Sequence, residues 1–490
     1  MNRTAAIIGG GVIGGGWAAR FLLNGWDVQV FDPDPQAERK IGEVLGNARR
    51  ALPGLTDVVL PAEGHLSLVG SIAEAVERAV WIQESVPERL DIKHRILAEI
   101  QAHCDARAVI GSSTSGFKPS ELQQGAANPA QIMVCHPFNP VYLLPLVEVV
   151  TTDANAETVG TAKKVLSGLG MYPLHIRKEI DAHVADRFLE AVWREALWLV
   201  KDGIATTEEI DNAIRYGFGI RWAQMGLFET YRVAGGEAGM KHFMAQFGPA
   251  LKWPWTRLTD VPEFNDDLVD LIAGQSDAQS GAHSIRELER IRDNNLVAMM
   301  RALKTQNWGA GALMNAQDRR LRAGSVLAAR AAEIADPGQP VLTVHRSVPL
   351  DWTDYNGHMN EAKYLQAFGD ATDRFMELIG CDAAYIATGG SYFTAETHIR
   401  HVDEVHAGAV IAVRTRVLAG GGKKMHLWHE MYEGDRLLAT GEHFLLHVSL
   451  ETRRPSDASP QIDAALKLFV AAQAGLPKPE GAGRWIGAPR

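Results

Sequence analysis

Cysteine is scarce in this chain. Three thiols, Cys104, Cys135 and Cys381, are scattered through 490 residues with no paired spacing. Such cysteines suggest neither a disulfide-built scaffold nor a structural zinc site, and they point to a reducing compartment. No apolar run is long enough to cross a bilayer. The opening residues carry no basic and apolar leader but run straight into a strand-like stretch and glycines, so a cytoplasmic location is expected. Basic excess is missing as well. The 49 Lys and Arg stand against 59 Asp and Glu, a net charge of −10, which disfavours nucleic acid and anionic membrane as partners. There is no internal repeat and no low-complexity tract, and no metal is expected. What remains is an ordinary globular composition, 46% apolar and 22% charged, with length for about three domains.

The first organised segment is a βαβ pattern. An apolar run from Thr4 to Ile8 leads into Gly9-Gly10-Gly11-Val12-Ile13-Gly14, and a helical apolar pattern continues to Leu23. A second strand-like run, Trp26 to Phe31, ends in Asp32. Gly9 permits the tight turn, Gly11 lets backbone approach a pyrophosphate, and Gly14 allows close helix packing, with Val12 and Ile13 opening the helix. Asp32 can accept from a ribose 2′-hydroxyl and would repel a 2′-phosphate, so the cofactor is expected to be NAD rather than NADP. Further strand ends fall at Glu84 and at Ser112-Ser113-Thr114-Ser115, with Lys93 on the helix between them.

The chain is organised around residues 132–150. A short apolar strand, Ile132 to Cys135, ends in His136-Pro137-Phe138-Asn139-Pro140, whose two prolines predict a rigid turn. A second strand, Leu143 to Val150, carries one carboxylate, Glu148. A Glu in such a run needs a partner, and His136 is the candidate. A histidine held by a carboxylate has a fixed tautomer and a basic distal nitrogen. The plainer account is a core histidine beside a strand-edge Glu. Glu84, Ser115 and His136 all lie at carboxyl ends of strands, where open α/β sheets bind ligands.

Together these motifs resemble the 3-hydroxyacyl-CoA dehydrogenase family over about residues 4–320. The resemblance implies that His136 is the general base, that Glu148 orients it, and that Ser115 and Asn139 hold the substrate oxygen. It places Glu84 and Lys93 with the cofactor-binding residues. His136 would take the hydroxyl proton while hydride leaves for the nicotinamide.

From Asp181 the pattern is helical, with Val184, Phe188, Val192 and Leu199 on one face, which predicts an all-α substrate and dimerisation domain over 178–325. Fatty-acyl members of the family carry an Asn before the Arg of its first helix; here the pair is Asp186-Arg187. A carboxylate there suits a cation, and a quaternary ammonium is held by aromatic faces and a nearby acid. Trp193, Trp222 and Phe228 are the candidate aromatics, and Arg187 and Arg221 are the candidates for a substrate carboxylate. Residues 180–200 and 217–247 resemble the carnitine dehydrogenase branch of the family, which implies carnitine as the small-molecule substrate. Aromatics at this spacing are also what a helical core requires.

A linker rich in Pro and Gly, 326–340, separates a second pattern of strands around one long helix, Glu361 to Ile379. That is an α+β hotdog architecture, predicted over 341–452. The segment Asp351 to Asn360 resembles the acyl-CoA thioesterases of the hotdog family. The resemblance implies an acyl-CoA thioester as partner, Asp354 as catalytic acid or nucleophile, and Gly357 and His358 near the oxyanion. An Asx-turn and helix cap would explain the same residues. Residues 453–490 read as a tail with one amphipathic helix.

The chain is thus expected to be multidomain. A Rossmann-like NAD domain spans 1–177, and the helical domain, the linker, the hotdog and the tail follow. A homodimer is expected because both implied families dimerise. Two alternatives stay open: an NAD enzyme for another hydroxy acid, L-gulonate or a 3-hydroxyacyl-CoA, and a non-catalytic NAD-binding protein whose hotdog serves dimerisation.

Overall fold

The computed structural model describes residues 3–234, 239–247, 256, 263, 265–328 and 331–483. The chain forms two compact units. One comprises residues 1–52 and 61–315, and the other 53–60 and 316–490.

The first unit is built on an eight-stranded sheet of β1 (Thr4–Ile8), β2 (Asp27–Phe31), β3 (Leu66–Leu68), β4 (Trp81–Glu84), β5 (Val109–Ser112), β6 (Ile132–Pro137), β7 (Leu146–Val150) and β8 (Tyr172–Ile176). Their spatial order is β3-β2-β1-β4-β5-β6-β7-β8. All neighbours are parallel except β6 and β7. Strands covered on both faces must be apolar throughout, and Ala6, Ile8, Ile82, Ile110, Ile132, Val134 and Val150 share one core. The order reverses after β1, and both flanking strands run parallel to it, so their carboxyl ends open onto one crevice.

The helix Val12–Leu22 is buried from Gly14 onward. Its Arg20 is 2% exposed and donates to the carbonyls of Leu169, Tyr142 and Gly170 at 2.8–3.0 Å. One guanidinium thereby fixes the cofactor helix against the segment that follows the His136 turn. Tyr142 in turn donates at 2.7 Å to the buried Asp293 on the helix Ile285–Lys304, which ties the sheet to the helical half of the same unit.

That helical half begins with Ala185–Lys201. Of the residues read as one face of this helix, Val184, Phe188 and Val192 are 37%, 56% and 39% exposed.

The second unit carries β9 (Val341–Ser347), β10 (Gly390–His401), β11 (Val410–Gly421), β12 (Lys424–Glu433) and β13 (Arg436–Ser449). They form an antiparallel sheet in the order β10-β13-β12-β11-β9. The helix Glu361–Leu378 packs its Tyr364, Phe368, Ala371 and Phe375 face on the sheet. Gly441 makes room for it, since a Cβ there would stand 2.7 Å from the Phe368 ring. The sheet wrapped on one helix is the hotdog. Two boundaries differ from the sequence reading. Residues 53–60, assigned to the NAD domain by continuity, cluster with the second unit, where Asp57 pairs with the buried Arg346 at 2.7 Å. The helix Pro460–Gln473 is not a loose tail: Ile462, Leu466 and Phe469 are buried in the hotdog core.

Candidate active site

The glycine loop has the geometry a dinucleotide needs. Gly9 has φ +100°, and a Cβ there would stand 2.6 Å from the Ser85 carbonyl oxygen. A Cβ on Gly14 would stand 1.8 Å from the Gly9 oxygen, so only glycine fits. Nothing lies within 4 Å of a Cβ at Gly11, and Gly11 caps the helix without a side-chain acceptor, leaving first-turn N–H groups and the helix dipole for an anion. Val12 and Ile13 form that first turn, Val12 exposed and Ile13 half-buried. Asp32 accepts from the amides of Gly10 at 2.5 Å and Asp34 at 2.7 Å, which seats its carboxylate beside the cradle. The residues present fit NAD.

Glu84 and Lys93, expected beside the cofactor, come together in the structure. They are 0% and 1% exposed and paired at 2.9 Å. Glu84 also accepts from the Ser112 hydroxyl and the Val86 amide. Lys93 reaches on to Glu88 at 3.2 Å. Glu88, which sequence reasoning missed, accepts from the Thr114 hydroxyl and from the amides of Ser115 at 3.2 Å and Gly116 at 3.1 Å. The buried Glu84–Lys93 pair therefore holds, through Glu88, the loop that carries Ser115. The only sequence signal for it was two glutamates in the nine residues before a lysine.

His136 and Glu148 are directly opposed in the antiparallel ladder of β6 and β7. The predicted turn starts later than expected, because His136 and Pro137 still belong to β6. The pairing of β6 with β5 ends at Val134, so the N–H that Pro137 lacks has no ladder partner to lose on that side. The His136 Nδ1 lies 3.0 Å from Glu148 Oε2. A carboxylate at Nδ1 holds the ring proton there and leaves the lone pair on Nε2. That lone pair faces the Ser115 hydroxyl at 3.3 Å. Asn139 follows at the exposed rim, joined to Pro140 by a cis peptide.

The other oxygen of Glu148 accepts from the backbone N–H of Val184 and Ala185, both at 2.9 Å. One carboxylate thus binds the base and the amino end of the helix Ala185–Lys201. Burial works against its charge, but the bonds from His136, Ala185 and Val184 prevail and hold Glu148 below the usual Glu value. The chain reaches that helix through Ala182 and His183, both left-handed at φ +57° and +51°, a conformation costly for side-chain-bearing residues. His183 is buried, bonds the Thr114 carbonyl at 3.2 Å and sits 5.6 Å from the His136 ring. Burial lowers its pKa, so it stands neutral beside the base.

Asp186, the next residue but one, places Oδ2 3.7 Å from His136 Nε2. Burial raises its pKa, and the neighbouring Glu148 charge adds to this against the pull of His136. The aromatic candidates are not gathered here. Trp193, Trp222 and Phe228 are 55%, 37% and 71% exposed, and among the described residues no ring contact joins them. The rings beside His136 are His183 and Phe138, the latter at 4.9 Å and edge-on. Arg187 donates to the Asp181 carbonyl at 3.4 Å, and Arg221 is exposed. Neither contacts His136, Ser115 or Asp186 among the described residues.

In the second unit Asp354 lies in a tight turn before the long helix. It accepts through Oδ1 from the Asn356 amide at 2.9 Å. The Gly357 N–H is turned inward to the Asp354 carbonyl at 3.0 Å, so it does not offer the oxyanion contact expected of it. Trp352, two residues before Asp354, is 1% exposed, with the Arg346 guanidinium 4.1 Å above its ring.

Family models match accordingly. That of the 3-hydroxyacyl-CoA dehydrogenase NAD-binding domain covers residues 4–180, that of the 3-hydroxyacyl-CoA dehydrogenase C-terminal domain covers 183–263, and that of the thioesterase-like superfamily covers 348–466. The first unit is a dehydrogenase of the 3-hydroxyacyl-CoA dehydrogenase class that uses NAD, and the second is a hotdog of thioesterase type. A protein of Ruegeria pomeroyi named L-carnitine dehydrogenase/betainyl-CoA thioesterase is 73% identical over 487 residues, 99% of each chain. One of Mesorhizobium japonicum named L-carnitine dehydrogenase is 64% identical over 319 residues, 64% of this chain and 87% of its own. The solved structure of 5-formyl-3-hydroxy-2-methylpyridine 4-carboxylic acid 5-dehydrogenase, an NAD-dependent dismutase, is 27% identical and covers 62% of this chain and 99% of its own, with a TM-score of 0.53. The chain belongs to the family of L-carnitine dehydrogenase/betainyl-CoA thioesterases.

Proposed function

We propose that the first unit oxidises L-carnitine to 3-dehydrocarnitine with NAD, and that the second hydrolyses betainyl-CoA to glycine betaine and CoA. His136 Nε2 takes the hydroxyl proton, with Glu148 stabilising the imidazolium that forms. Ser115, 3.3 Å from the same nitrogen, and Asn139 hold the substrate oxygen. Bound NAD accepts the hydride from the carbinol carbon.

One observation carries the substrate assignment: the Asp186 carboxylate 3.7 Å from the base. A carboxylate that close to the reacting hydroxyl selects a substrate with a cation one carbon away. The acyl chain of a 3-hydroxyacyl-CoA has no charge there, and L-gulonate has no cation. The Phe138 ring beside His136 supplies an aromatic surface suited to a quaternary ammonium. The test follows NADH formation with L-carnitine, D-carnitine, L-gulonate and 3-hydroxybutyryl-CoA in the wild type and in Asp186→Asn. Expected is a preference for L-carnitine and, in the variant, a KM for carnitine raised at least about 10-fold with the KM for NAD unchanged. Faster turnover of an uncharged hydroxy acid by the wild type, or a carnitine KM untouched by the substitution, overturns the reading.

The thioesterase assignment rests on Asp354 at the mouth of the long helix. We further infer a homodimer. The exposed stripe Phe188, Leu189, Val192 and Trp193 on one helix is the kind of apolar face that a second copy covers.

A further inference from the structure

We propose that the second unit holds a divalent transition-metal ion of the zinc class, bound by His358, Glu404 and His406. These side chains come from two segments far apart in sequence. His358 lies in the turn that carries Asp354, and Glu404 and His406 lie in the connection between β10 and β11. The two segments are sewn together by backbone. His358 and His406 form an antiparallel bridge, and the Met359 N–H donates to the Val405 carbonyl at 2.8 Å. The two imidazole rings therefore face each other with centroids 4.7 Å apart.

One donor atom from each of the three side chains lies within 4.8 Å of the other two. His358 Nε2 is 3.5 Å from Glu404 Oε2. A tetrahedral zinc ion with bonds of about 2.0–2.1 Å separates its donors by about 3.3 Å, so one edge of the polyhedron is already set. The other donors close by small rotations of partly exposed side chains. The His406 Nδ1 is tied to the Gly357 carbonyl at 3.1 Å. That bond fixes the ring and leaves the lone pair on Nε2, as the outer hydrogen bonds of metal-bound histidines do. Two imidazoles and one carboxylate suit zinc-class ions and not magnesium or calcium, which take oxygen ligands. Among the described residues no other trio of His, Cys, Asp or Glu side chains converges in this way. Water would complete the coordination. The bound ion would clamp the 354–360 turn, and Asp354 with it, to the 402–406 segment.

The experiment uses the full chain, stripped by dialysis against chelator. Zn²⁺ is titrated in competition with a chromophoric chelator, and amide exchange of residues 354–360 is followed in parallel. Expected is one saturable site per chain, not displaced by excess Mg²⁺, with slowed exchange in the turn when zinc is bound. His406→Ala and Glu404→Gln should each weaken it by roughly 10- to 100-fold, at least as much as loss of an outer partner does elsewhere. Amide exchange in the β10–β13 sheet of the same preparations reports that the second unit of each variant is folded. Equal zinc affinity in wild type and both variants, the mark of scattered surface histidines, overturns the proposal. So does a wild type with no saturable site, which would leave only a His358–Glu404 ion pair.

Discussion

Glu148 has two oxygens and meets three donors, and this determines what Glu148→Gln must do. In the wild type Oε2 takes His136 Nδ1 at 3.0 Å, and Oε1 takes the amides of Val184 and Ala185 at 2.9 Å. Glutamine offers one oxygen and one NH₂. If its oxygen keeps the two backbone amides, the NH₂ points at Nδ1. The imidazole then relieves the clash by moving its proton to Nε2, and the lone pair that takes the substrate proton is gone. If the amide is reversed, its NH₂ faces two N–H groups and the helix start is undone. The first arrangement loses the base and the second the backbone that seats it, and a general base contributes roughly 10²- to 10⁴-fold. We expect kcat for NADH formation to fall by about 10³-fold with the KM for NAD unchanged, because the glycine cradle is not touched.

The same carboxylate gives a pH signature. Its pKa is held below 4.5 in the folded chain, so its contribution to stability is complete above the unfolded-state Glu value and is lost as pH falls through the folded one. Unfolding by denaturant across that window should show less acid destabilisation in Glu148→Gln than in the wild type. A folded Glu148→Gln protein with kcat within a factor of about three of wild type would refute the role given to His136.

Three more outcomes follow from particular contacts. Gly14→Ala puts a Cβ 1.8 Å from the Gly9 oxygen, so the loop must shift; overpacking of this kind costs about 1–3 kcal/mol, and calorimetric titration should show NAD binding weakened at least about 10-fold. Asp354→Ala should abolish betainyl-CoA hydrolysis, read as free thiol release, while NADH formation from carnitine stays at wild-type rate. Phe469→Ala removes a ring that packs edge-on to Phe375 at 5.2 Å and should lower the stability of the second unit by roughly 3–5 kcal/mol in denaturant unfolding, whereas a surface tail would lose almost nothing.

The chemistry-bearing residues were legible because their types and local settings are restrictive. A glycine loop between strand and helix with an acid at the next strand end has few other uses, and a lone Glu in an apolar strand demands a partner. The hotdog could be read from period-two runs and the Gly421-Gly422 and Gly434 turns, all at positive φ. What escaped has no period. The bonds from Val184 and Ala185 to Glu148 join residues 36 and 37 positions apart, and backbone donors leave no mark on residue type. Exposed aromatics such as Phe228 carry the same spacing as core ones, so spacing alone does not say which rings meet. Pro137 reads as a strand terminator because sequence does not reveal that β6 has already lost its β5 neighbour there.

The carboxylate that orients His136 also sets where Asp186 stands. Glu148 binds the N–H groups of Val184 and Ala185, and the side chain one residue further on is Asp186, 3.7 Å from His136 Nε2. Placement of His136 and placement of Asp186 are therefore not independent. If the amino end of that helix moves, the His136 tautomer and the Asp186 position change together. An Asn or Asp at position 186 is a change of charge at a point whose location is already fixed by backbone. A family that keeps this backbone can therefore alter substrate charge at one residue without disturbing the proton transfer. The left-handed pair Ala182 and His183 is what brings the chain round to that point, and the ring of His183 stands 5.6 Å from that of His136.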